Sequence, residues 1–389
     1  MNNKRIGVVT TTRAEYSLLK NVMKNIVNDE ELDLILFVTG THLLNEYGYT
    51  IEEIENDGFF VNEKIDILMK NDSAAGISKT MGMASILFGD SFERQKIDIL
   101  IVLGDRYELL PICQAAMVAC IPIVHIAGGE ATEGAIDEAV RHCITKMSYL
   151  HFPSCEQYRK KIIQLGENPD RVFNYGDVGV ENILCQEYFS KEKLEQTLKL
   201  SLKRKYFSVT FHPVTLENDS VLRQINELLM AIEKLPQYDY IFTKSNADSG
   251  NYIINNRIDE FVSEHSNCTV FESLGAKRYL SLLNYSSGII GNSSSGIVEA
   301  PSLKIPTINI GDRQKGRLKS KSIIDCEPVC DEIVNAIKKA VTEKFIRLNC
   351  DGSSPYSGGD TASKIVKKIK EFLIKDNIDL KKHFYEIDF

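Results

Sequence analysis

Short apolar runs alternate along this chain with longer segments in which apolar positions recur at helical spacing. The runs at residues 5–10, 32–38, 97–103 and 121–126 are typical of buried parallel strands, which are apolar on both faces. Helical patterns lie between them, for example at residues 14–27 and 109–119. Alternating strands and helices indicate an α/β protein in which right-handed crossovers join parallel strands.

A second series of the same kind begins in the middle of the chain. Its apolar runs lie at residues 207–211, 240–243, 268–271, 288–290 and 307–310. We therefore predict two Rossmann-like α/β domains that face a cleft. The intervening segment is helix-rich and charged from Glu187 onward, which puts the boundary near residues 182–189 and gives domains 1–185 and 186–389. The last helical stretch, residues 361–375, is a candidate for packing back on the first domain.

Composition narrows the possible partners. Of the 389 residues, 43% are hydrophobic and 26% are charged, the balance of an ordinary soluble globular protein. The net charge of −8 argues against a nucleic-acid binder, although a local cationic pocket can still hold an anion. No apolar run approaches the roughly 20 residues that cross a bilayer, and we expect no secretory signal because the first residues contain no long apolar segment. The nine cysteines form no C-x-x-C pair, so we expect core cysteines in a reducing cytoplasm.

The strongest candidate for chemistry is a run of hydroxyl residues after an apolar run. Ligands of parallel sheets collect at the carboxyl ends of the strands. Ser293, Ser294, Ser295 and Gly296 follow the run at 288–290 and precede a predicted helix at 297–301. Free backbone N–H groups and hydroxyls at a helix start suit phosphate, whereas a simple helix cap would need one serine. Glu299 could complete a capping box or accept hydrogen bonds from a ribose.

Further polar residues follow other runs of this half. Arg313 and Arg317 come after the run at 307–310 and form either a solvated basic loop or a phosphate clamp. His212 follows the run at 207–211 and is either a solvent-exposed strand end or a donor to phosphate. Asn246 follows the next run; a turn alone would explain it, and we include it as a binding candidate.

The first half contributes acids. Asp105 follows the run at 97–103, in Gly-Asp-Arg-Tyr-Glu, and can serve either acid–base chemistry or a helix cap. Glu130 and Asp137 belong to a carboxylate-rich stretch after two glycines, where clustered acids raise one another's pKa. His125 lies within the preceding run, as either a core or a binding residue. Arg13 lies at the start of a predicted helix, and its side chain is expected either to be exposed or to reach into the cleft. No G-x-G-x-x-G or P-loop motif occurs.

Taken together, the motifs resemble a known family. They are T-x-T-R-A-E-Y, G-D-R-Y-E, H-I-x-G-G-E, D-E-x-x-R-H, F-H-P, S-N-A-D-S-G, G-N-S-S-S-G-I-V-E-A-P and N-I-G-D-R-Q-K-G-R, in this order. The sequence is similar over nearly its whole length to the hydrolysing UDP-N-acetylglucosamine 2-epimerases of bacterial sialic-acid and legionaminic-acid synthesis. The resemblance implies the glycosyltransferase-B architecture, a UDP-sugar substrate held mainly by the C-terminal domain, no cofactor or metal, and a homodimer or homotetramer.

The resemblance also implies roles by position. Ser294 and Ser295 would bind the diphosphate and Glu299 the ribose. Arg13 and His212 would contact the diphosphate or the sugar, and we count His212 with the catalytic residues. Asp105, Glu130 and Asp137 match acidic positions implicated in catalysis, and Arg313 and Arg317 match a basic loop.

One departure from the family pattern leaves the acid–base assignment open. Relatives of the non-hydrolysing branch carry a glutamate at the position of Ala127, so either Glu130 takes over its role or the assignment differs. The leading expectation is conversion of UDP-GlcNAc and water to ManNAc and UDP. The alternatives are the same reaction on UDP-N,N′-diacetylbacillosamine, a reversible non-hydrolysing epimerase, a glycosyltransferase-B sugar transferase, and a noncatalytic nucleotide-sugar sensor.

Overall fold

Two parallel six-stranded sheets organise the described part of the chain. The structure is a computed structural model that describes residues 3–69, 73–131, 136–213, 221–244, 251–272, 274–375 and 378–387. The first sheet has the order β3-β2-β1-β4-β5-β6. Its strands are β1 (Lys4–Thr10), β2 (Leu32–Thr39), β3 (Glu63–Ile65), β4 (Ile99–Leu103), β5 (Ile123–Ile126) and β6 (Leu150–Phe152).

The second sheet has the order β12-β11-β10-β7-β8-β9. Its strands are β7 (Tyr206–Thr210), β8 (Asp239–Thr243), β9 (Cys268–Phe271), β10 (Ile289–Gly291), β11 (Thr307–Ile310) and β12 (Ile323–Cys326). Every pairing in both sheets is parallel. Central strands such as β4, β7 and β11 are buried along their whole length, as apolar runs covered on both faces require.

Helices connect successive strands. They are α1 (Arg13–Val27), α2 (Ile51–Asn56), α3 (Ala74–Gln95), α4 (Leu109–Val118), α5 (Ile136–Met147), α6 (Glu156–Gln164), α7 (Val178–Cys185), α8 (Lys191–Leu198), α9 (Val221–Glu233), α10 (Asn251–Glu264), α11 (Ala276–Asn284), α12 (Ser295–Val298), α13 (Cys330–Ala340), α14 (Glu343–Asn349) and α15 (Thr361–Lys375). Short 3-10 turns lie at Gly40–Leu43, Asn45–Tyr47, Pro169–Arg171 and Ala300–Leu303. Within the described residues, no helix is long and apolar enough to span a bilayer.

The chain divides into two compact units. The first comprises Met1–Glu130, Ile136–Glu181 and Gly358–Phe389, and the second comprises Ala131–Ala135 and Asn182–Ser357. In the first unit, α15 packs against α1, and its Ile365 and Ile369 belong to the same apolar core as β1. In the second unit, the core groups the apolar residues of β7, β8, α9 and α13. Each sheet therefore has its own hydrophobic core.

The predicted α/β class with two parallel sheets is confirmed, and the differences lie at the sheet edges. The strands β3, β6 and β12 carry no clear apolar run and were not predicted. They are three or four residues long and lie at the ends of their sheets. β3 and β12 are only partly buried, so their sequences carry a weak apolar signal, whereas β6 is buried but has only three residues with His151 in the middle.

Each sheet contains a point where the strand order reverses. The chain builds β1, β2 and β3 in one direction and β4, β5 and β6 in the other, which leaves a switch point between β1 and β4. The second sheet has its switch point between β7 and β10. The connections that leave two neighbouring strands in opposite directions open a crevice at their carboxyl ends, the usual ligand position in such sheets.

A buried glutamate fixes the start of the helix at the first switch point. Thr12 caps α1 by accepting the N–H of Glu15. The Glu15 carboxylate in turn accepts the N–H and the hydroxyl of Thr11, each at 2.7 Å. Together these bonds satisfy donors of Thr11 and Glu15 at the helix start, which explains why T-T-R-A-E begins a helix directly after β1. Burial raises the pKa of Glu15 from its ordinary 4.5 to about 7, although the bonds from Thr11 oppose the rise.

We predict that Glu15 makes the free energy of unfolding depend on pH. Its pKa is higher in the folded than in the unfolded chain, so its stabilising contribution is complete below about pH 4.5 and is lost as the pH rises through about 7. Glu15→Gln remains neutral and keeps an acceptor for Thr11. Urea denaturation from pH 4.5 to pH 8 should therefore show wild type losing roughly 3 kcal/mol relative to the variant. A stability difference that does not change with pH would contradict the assignment.

Candidate active site

A buried asparagine joins the two strand ends at the switch point of the second sheet. Asn292, 1% exposed, directly follows β10. Its side-chain oxygen accepts the backbone N–H of His212 at 2.7 Å, and its side-chain nitrogen donates to the His212 carbonyl at 2.8 Å. His212 comes after β7, so one amide side chain holds both backbone groups of the neighbouring strand end. The backbone of His212 is thereby fixed next to Asn292, the residue that precedes the serine run.

The strands at this point approach so closely that only glycine fits. Gly291 ends β10 with a φ of 136°, and a Cβ there would lie 1.9 Å from the carbonyl oxygen of Thr210. Substitution would push β10 away from β7. The glycine of G-N-S-S-S-G therefore sets the spacing that the asparagine bridges.

The serine run forms a tight turn rather than the start of a long helix. The predicted helix at 297–301 is wrong in extent: α12 covers only Ser295–Val298, and Ala300–Leu303 is a 3-10 turn. Pro301 lacks the N–H that a continuing α-helix needs, which explains the change. Ser294 precedes α12 with helical backbone angles and its side chain does not cap it. A single turn has little macrodipole, so any anion binding here depends on individual N–H and hydroxyl groups.

The serines and Gly296 have different surroundings. Ser294 is exposed, and Ser293 is partly buried. Gly296 is buried against β11, where a Cβ would lie 2.6 Å from the Thr307 methyl group, and its N–H is bonded to Ser293. Ser293 and Ser294 are therefore better placed than Gly296 to present donors to a ligand.

Ser295 belongs to a chain of hydroxyls that ends on Glu299. Tyr279 donates to the Ser295 hydroxyl at 3.0 Å, and that hydroxyl donates to the Glu299 carboxylate. Burial raises the pKa of Glu299, although the serine bond opposes the rise. A capping box would instead place backbone N–H groups on this carboxylate, so that interpretation is wrong. The hydrogen bond from the Ser295 hydroxyl holds the Glu299 carboxylate in one orientation.

A basic side chain lies next to His212. Arg313 donates to the Asn292 carbonyl at 3.0 Å, and Gln314 donates to the same oxygen at 2.9 Å. Burial lowers the pKa of His212 to about 3, and the nearby positive charge of Arg313 lowers it further. The imidazole is therefore neutral at pH 7, and its buried Nδ1 has no hydrogen-bond partner in the described residues. Arg317, half-buried, lies in the following turn.

The acids of the first unit surround a buried arginine. Arg141 of α5 forms an ion pair with Asp105, which follows β4. It also donates to the Glu138 carboxylate at 3.3 Å and to the backbone carbonyl of Glu130 at 2.9 Å. The Glu130 carboxylate accepts the hydroxyl of Ser154, after β6, at 3.0 Å. The structure thus brings Asp105 and Glu130 to one edge of the first sheet.

Asp137 lies half-buried in the first turn of α5, next to Glu138. Glu138 also bonds to the ring of His142 at 3.0 Å. Carboxylates in the first turn of a helix are favoured by its N-terminal dipole. Asp137 lies on the same helix as Arg141, whose side chain pairs with Asp105 at the end of β4.

His125 is a core residue in this structure. It is 0% exposed, its Nε2 donates to the Gly104 carbonyl at 2.8 Å, and its Nδ1 accepts the Thr145 hydroxyl at 3.1 Å. Burial lowers its pKa to about 3. Both ring nitrogens are used within the protein, which favours a role in fixing the turn before Asp105 over the substrate contact expected from the sequence.

The sequence also named Arg13 as a binding candidate. Arg13 begins α1 and forms an ion pair with Glu53 at 3.0 Å. Asn246 lies outside the described residues. Ala127, the departure from the family pattern, has a φ of 61°, a conformation that few residues other than glycine adopt. The backbone after β5 is thus strained at the position where relatives of the non-hydrolysing branch carry a glutamate.

Sequence reasoning missed three residues that organise these groups. From the sequence we assign no role to Asn292, Arg141 or Tyr279. Two of them had a signal in the sequence: Asn292 directly follows a predicted strand, and Arg141 lies one helical turn after two acids. Tyr279 had no local signal, because α11 lies far from the serine run in sequence.

Comparison with solved structures shows which fold the chain shares. The structure matches the crystal structure of UDP-GlcNAc 2-epimerase from Neisseria meningitidis bound to UDP-GlcNAc with a TM-score of 0.83, covering 94% of this chain and 100% of that one. The sequences are 17% identical, so this likeness shows a shared two-sheet α/β fold.

Sequence comparison gives the family. A family model described as UDP-N-acetylglucosamine 2-epimerase matches residues 24–370. The chain is 44% identical to the polysialic acid biosynthesis protein P7 of Escherichia coli, covering 99% of this chain and 98% of that protein. It is 40% identical to the GDP/UDP-N,N′-diacetylbacillosamine 2-epimerase (hydrolyzing) of Campylobacter jejuni, with both chains covered completely. The chain belongs to the UDP-N-acetylglucosamine 2-epimerase family, which confirms the resemblance carried by its motifs.

We predict that Asn292→Ala loosens the end of β7. Removing the amide leaves the N–H and carbonyl of His212 without their partners, at a cost of about 1–3 kcal/mol. Hydrogen exchange at the His212 amide should accelerate by about tenfold or more. Asn309→Ala, which removes a buried asparagine of β11 bonded to Asp325, is the control and should leave that amide unchanged. Equal exchange in wild type and Asn292→Ala would show that the bridge does not hold the strand end.

Proposed function

We propose that the protein is a hydrolysing 2-epimerase of a UDP-linked 2-acetamido sugar. The observation that carries the proposal is the group around Asn292: a neutral histidine, exposed serine donors and an arginine at a switch point of a parallel sheet. A diphosphate needs such donors, and a leaving diphosphate needs them most. Family membership and the Neisseria meningitidis structure bound to UDP-GlcNAc support the assignment.

In the proposed binding mode, the second unit holds the nucleotide. Ser293, Ser294 and Arg313 contact the diphosphate, and the orphaned Nδ1 side of His212 gains a partner. Glu299, oriented by Ser295, accepts the ribose hydroxyls. The hydroxyl of Ser295 donates to Glu299 and its N–H donates to the Ser293 hydroxyl oxygen at 3.4 Å, so a contact of Ser295 with phosphate would require one of these bonds to be given up. Asn292 contributes by position and makes no ligand contact.

The first step is elimination. The bond between C1 and the diphosphate oxygen breaks, and its electron pair leaves with UDP. As C1 gains positive character, the C2 proton becomes acidic and is transferred to a carboxylate, and the C1–C2 double bond of a 2-acetamidoglycal forms. Asp105 is our candidate for a proton-handling group because it lies at the end of β4 with about a quarter of its side chain exposed.

The second step is hydration. The oxygen of water bonds to C1 and water gives one proton to a carboxylate of the site, while the electron pair of the C1–C2 double bond takes a proton from a protonated carboxyl group on the opposite face of C2, which inverts that carbon. Two faces require two proton-handling groups, and we assign the second to Glu130 or Asp137. Ala127 carries no carboxyl group, so the second group must come from another residue of this edge.

The identity of the sugar has two candidates. UDP-GlcNAc would give ManNAc. UDP-N,N′-diacetylbacillosamine would give 2,4-diacetamido-2,4,6-trideoxymannose. The 40% identity to the Campylobacter jejuni enzyme over its full length supports this substrate at least as well as UDP-GlcNAc. The name of that relative includes a GDP-linked form, so the base also needs testing.

An NMR assay in D₂O tests the function and the substrate together. Each nucleotide sugar, with UDP or GDP, is incubated with the protein. We expect free nucleoside diphosphate, a free manno-configured sugar and deuterium at C2, fastest with the true substrate. Release of a gluco sugar that keeps its C2 proton would indicate simple transfer to water. Manno product still linked to UDP would indicate a non-hydrolysing epimerase, and binding without turnover would indicate a sensor.

We also predict that UDP raises the pKa of His212. The free protein holds this pKa at about 3 through burial and the charge of Arg313. A bound diphosphate stabilises the imidazolium, so the pKa rises and, by linkage, UDP binds more tightly as the pH falls. Two-dimensional ¹H–¹⁵N NMR of the imidazoles follows the titration, with uridine, which lacks phosphates, as the matched control. An identical His212 titration with UDP, with uridine and with no ligand would place the diphosphate elsewhere.

A further inference from the structure

Arg141 differs from the other side chains at the carboxyl edge of the first sheet. It is a guanidinium whose side chain is only 3% exposed, whereas its partner Asp105 keeps 26% of its side chain exposed and Glu138 keeps 31%. The arginine therefore lies behind the acids, and the acids face outward from it. A ligand that reaches Asp105 has little access to Arg141.

The contacts of Arg141 tie together three separate segments. One terminal nitrogen pairs with Asp105 after β4, and the other donates to the Glu130 carbonyl after β5 and to Glu138 within α5. A planar guanidinium fixes both the distance and the direction of such partners, which a lysine ammonium cannot do. Moving this side chain would change the orientation of the Asp105 carboxylate and the position of the backbone at Glu130.

We infer that Arg141 is a positioning residue for the proton transfers at C2. It holds the Asp105 carboxylate in one orientation and sets the loop of Glu130 and the first turn of α5, which carries Asp137, at a fixed distance from it. This rests on the proposed function, in which these acids handle the protons. The role is distinct from substrate binding, because the arginine itself is covered by its partners.

The test compares Arg141→Lys with Arg159→Lys. Arg159 of α6 is a matched control in the same unit, since it also donates to a backbone carbonyl, that of Val172 at 3.0 Å, and to a carboxylate, that of Glu156 at 3.2 Å. For Arg141→Lys we expect kcat to fall by about 100-fold, the size of effect that an ångström of misplacement produces. KM and the affinity for UDP should stay within about threefold of wild type. Arg159→Lys should keep kcat near wild type.

A double-mutant cycle asks whether the arginine acts through Asp105. If it does, Asp105→Asn alone and Asp105→Asn with Arg141→Lys should have nearly the same kcat, because the second change has nothing left to misplace. Independent, multiplying losses would overturn the inference. So would a kcat for Arg141→Lys no lower than that of the control.

A second variant guards against simple misfolding. In Arg141→Ala, added guanidinium ion at low millimolar concentration should restore part of the lost kcat by occupying the vacated position, and the same concentration should not activate Arg159→Ala. Absence of rescue in a variant that binds UDP normally would count against positioning. If wild type itself turns over no nucleotide sugar in the D₂O assay, the proposed function fails; if only the arginine variants behave unlike the expectation, this inference fails alone.

Discussion

The site in the second unit depends on one amide side chain. Asn292 supplies both a donor and an acceptor, and it uses them on the N–H and the carbonyl of His212. An aspartate would lack the donor and a glutamine would be too long for the spacing that Gly291 sets. The backbone carbonyl of the same asparagine also accepts hydrogen bonds from the side chains of Arg313 and Gln314. One residue therefore orders the histidine, the basic loop and the start of the serine run. Beyond β10 the Asn292 N–H still donates to the Thr210 carbonyl at 3.3 Å, and the Asn292 side chain extends the link between the two strand ends to His212.

The two units use opposite electrostatic designs. In the second unit a neutral histidine, hydroxyls and Arg313 present donors, as an anion requires. In the first unit, a buried cation orders acids around itself, with Asp105 and Glu138 on Arg141. Burying the Arg141 guanidinium in such pairs contributes little net stability, because desolvation offsets the attraction. The proposed reaction needs both designs, since a diphosphate must leave and a proton must be removed from carbon.

The sequence predicted the central strands to within a residue or two, because a strand buried on both faces must be a continuous apolar run. It failed for β3 and β12, which are only partly buried, and for β6, which has only three residues; the edge strand β9 was predicted. Strand ends also located Asp105, Glu130 and the serine run correctly relative to their strands. The sequence could not predict which side chains form hydrogen bonds with each other. Examples are the bonds of His125 to Gly104 and Thr145, and the bond of Tyr279 to Ser295 from a different helix. Such contacts depend on crossovers that bring distant segments together, and local pattern carries no record of them.

A crystal structure of the protein with UDP tests the central claim most directly, namely that the turn after β10 and the end of β7 hold the diphosphate. The account predicts phosphate oxygens within hydrogen-bonding distance of Ser293 or Ser294 and of the His212 ring, with the ribose against Glu299. Diphosphate density at any other strand edge, with the His212 ring and the serine turn unliganded, would contradict it.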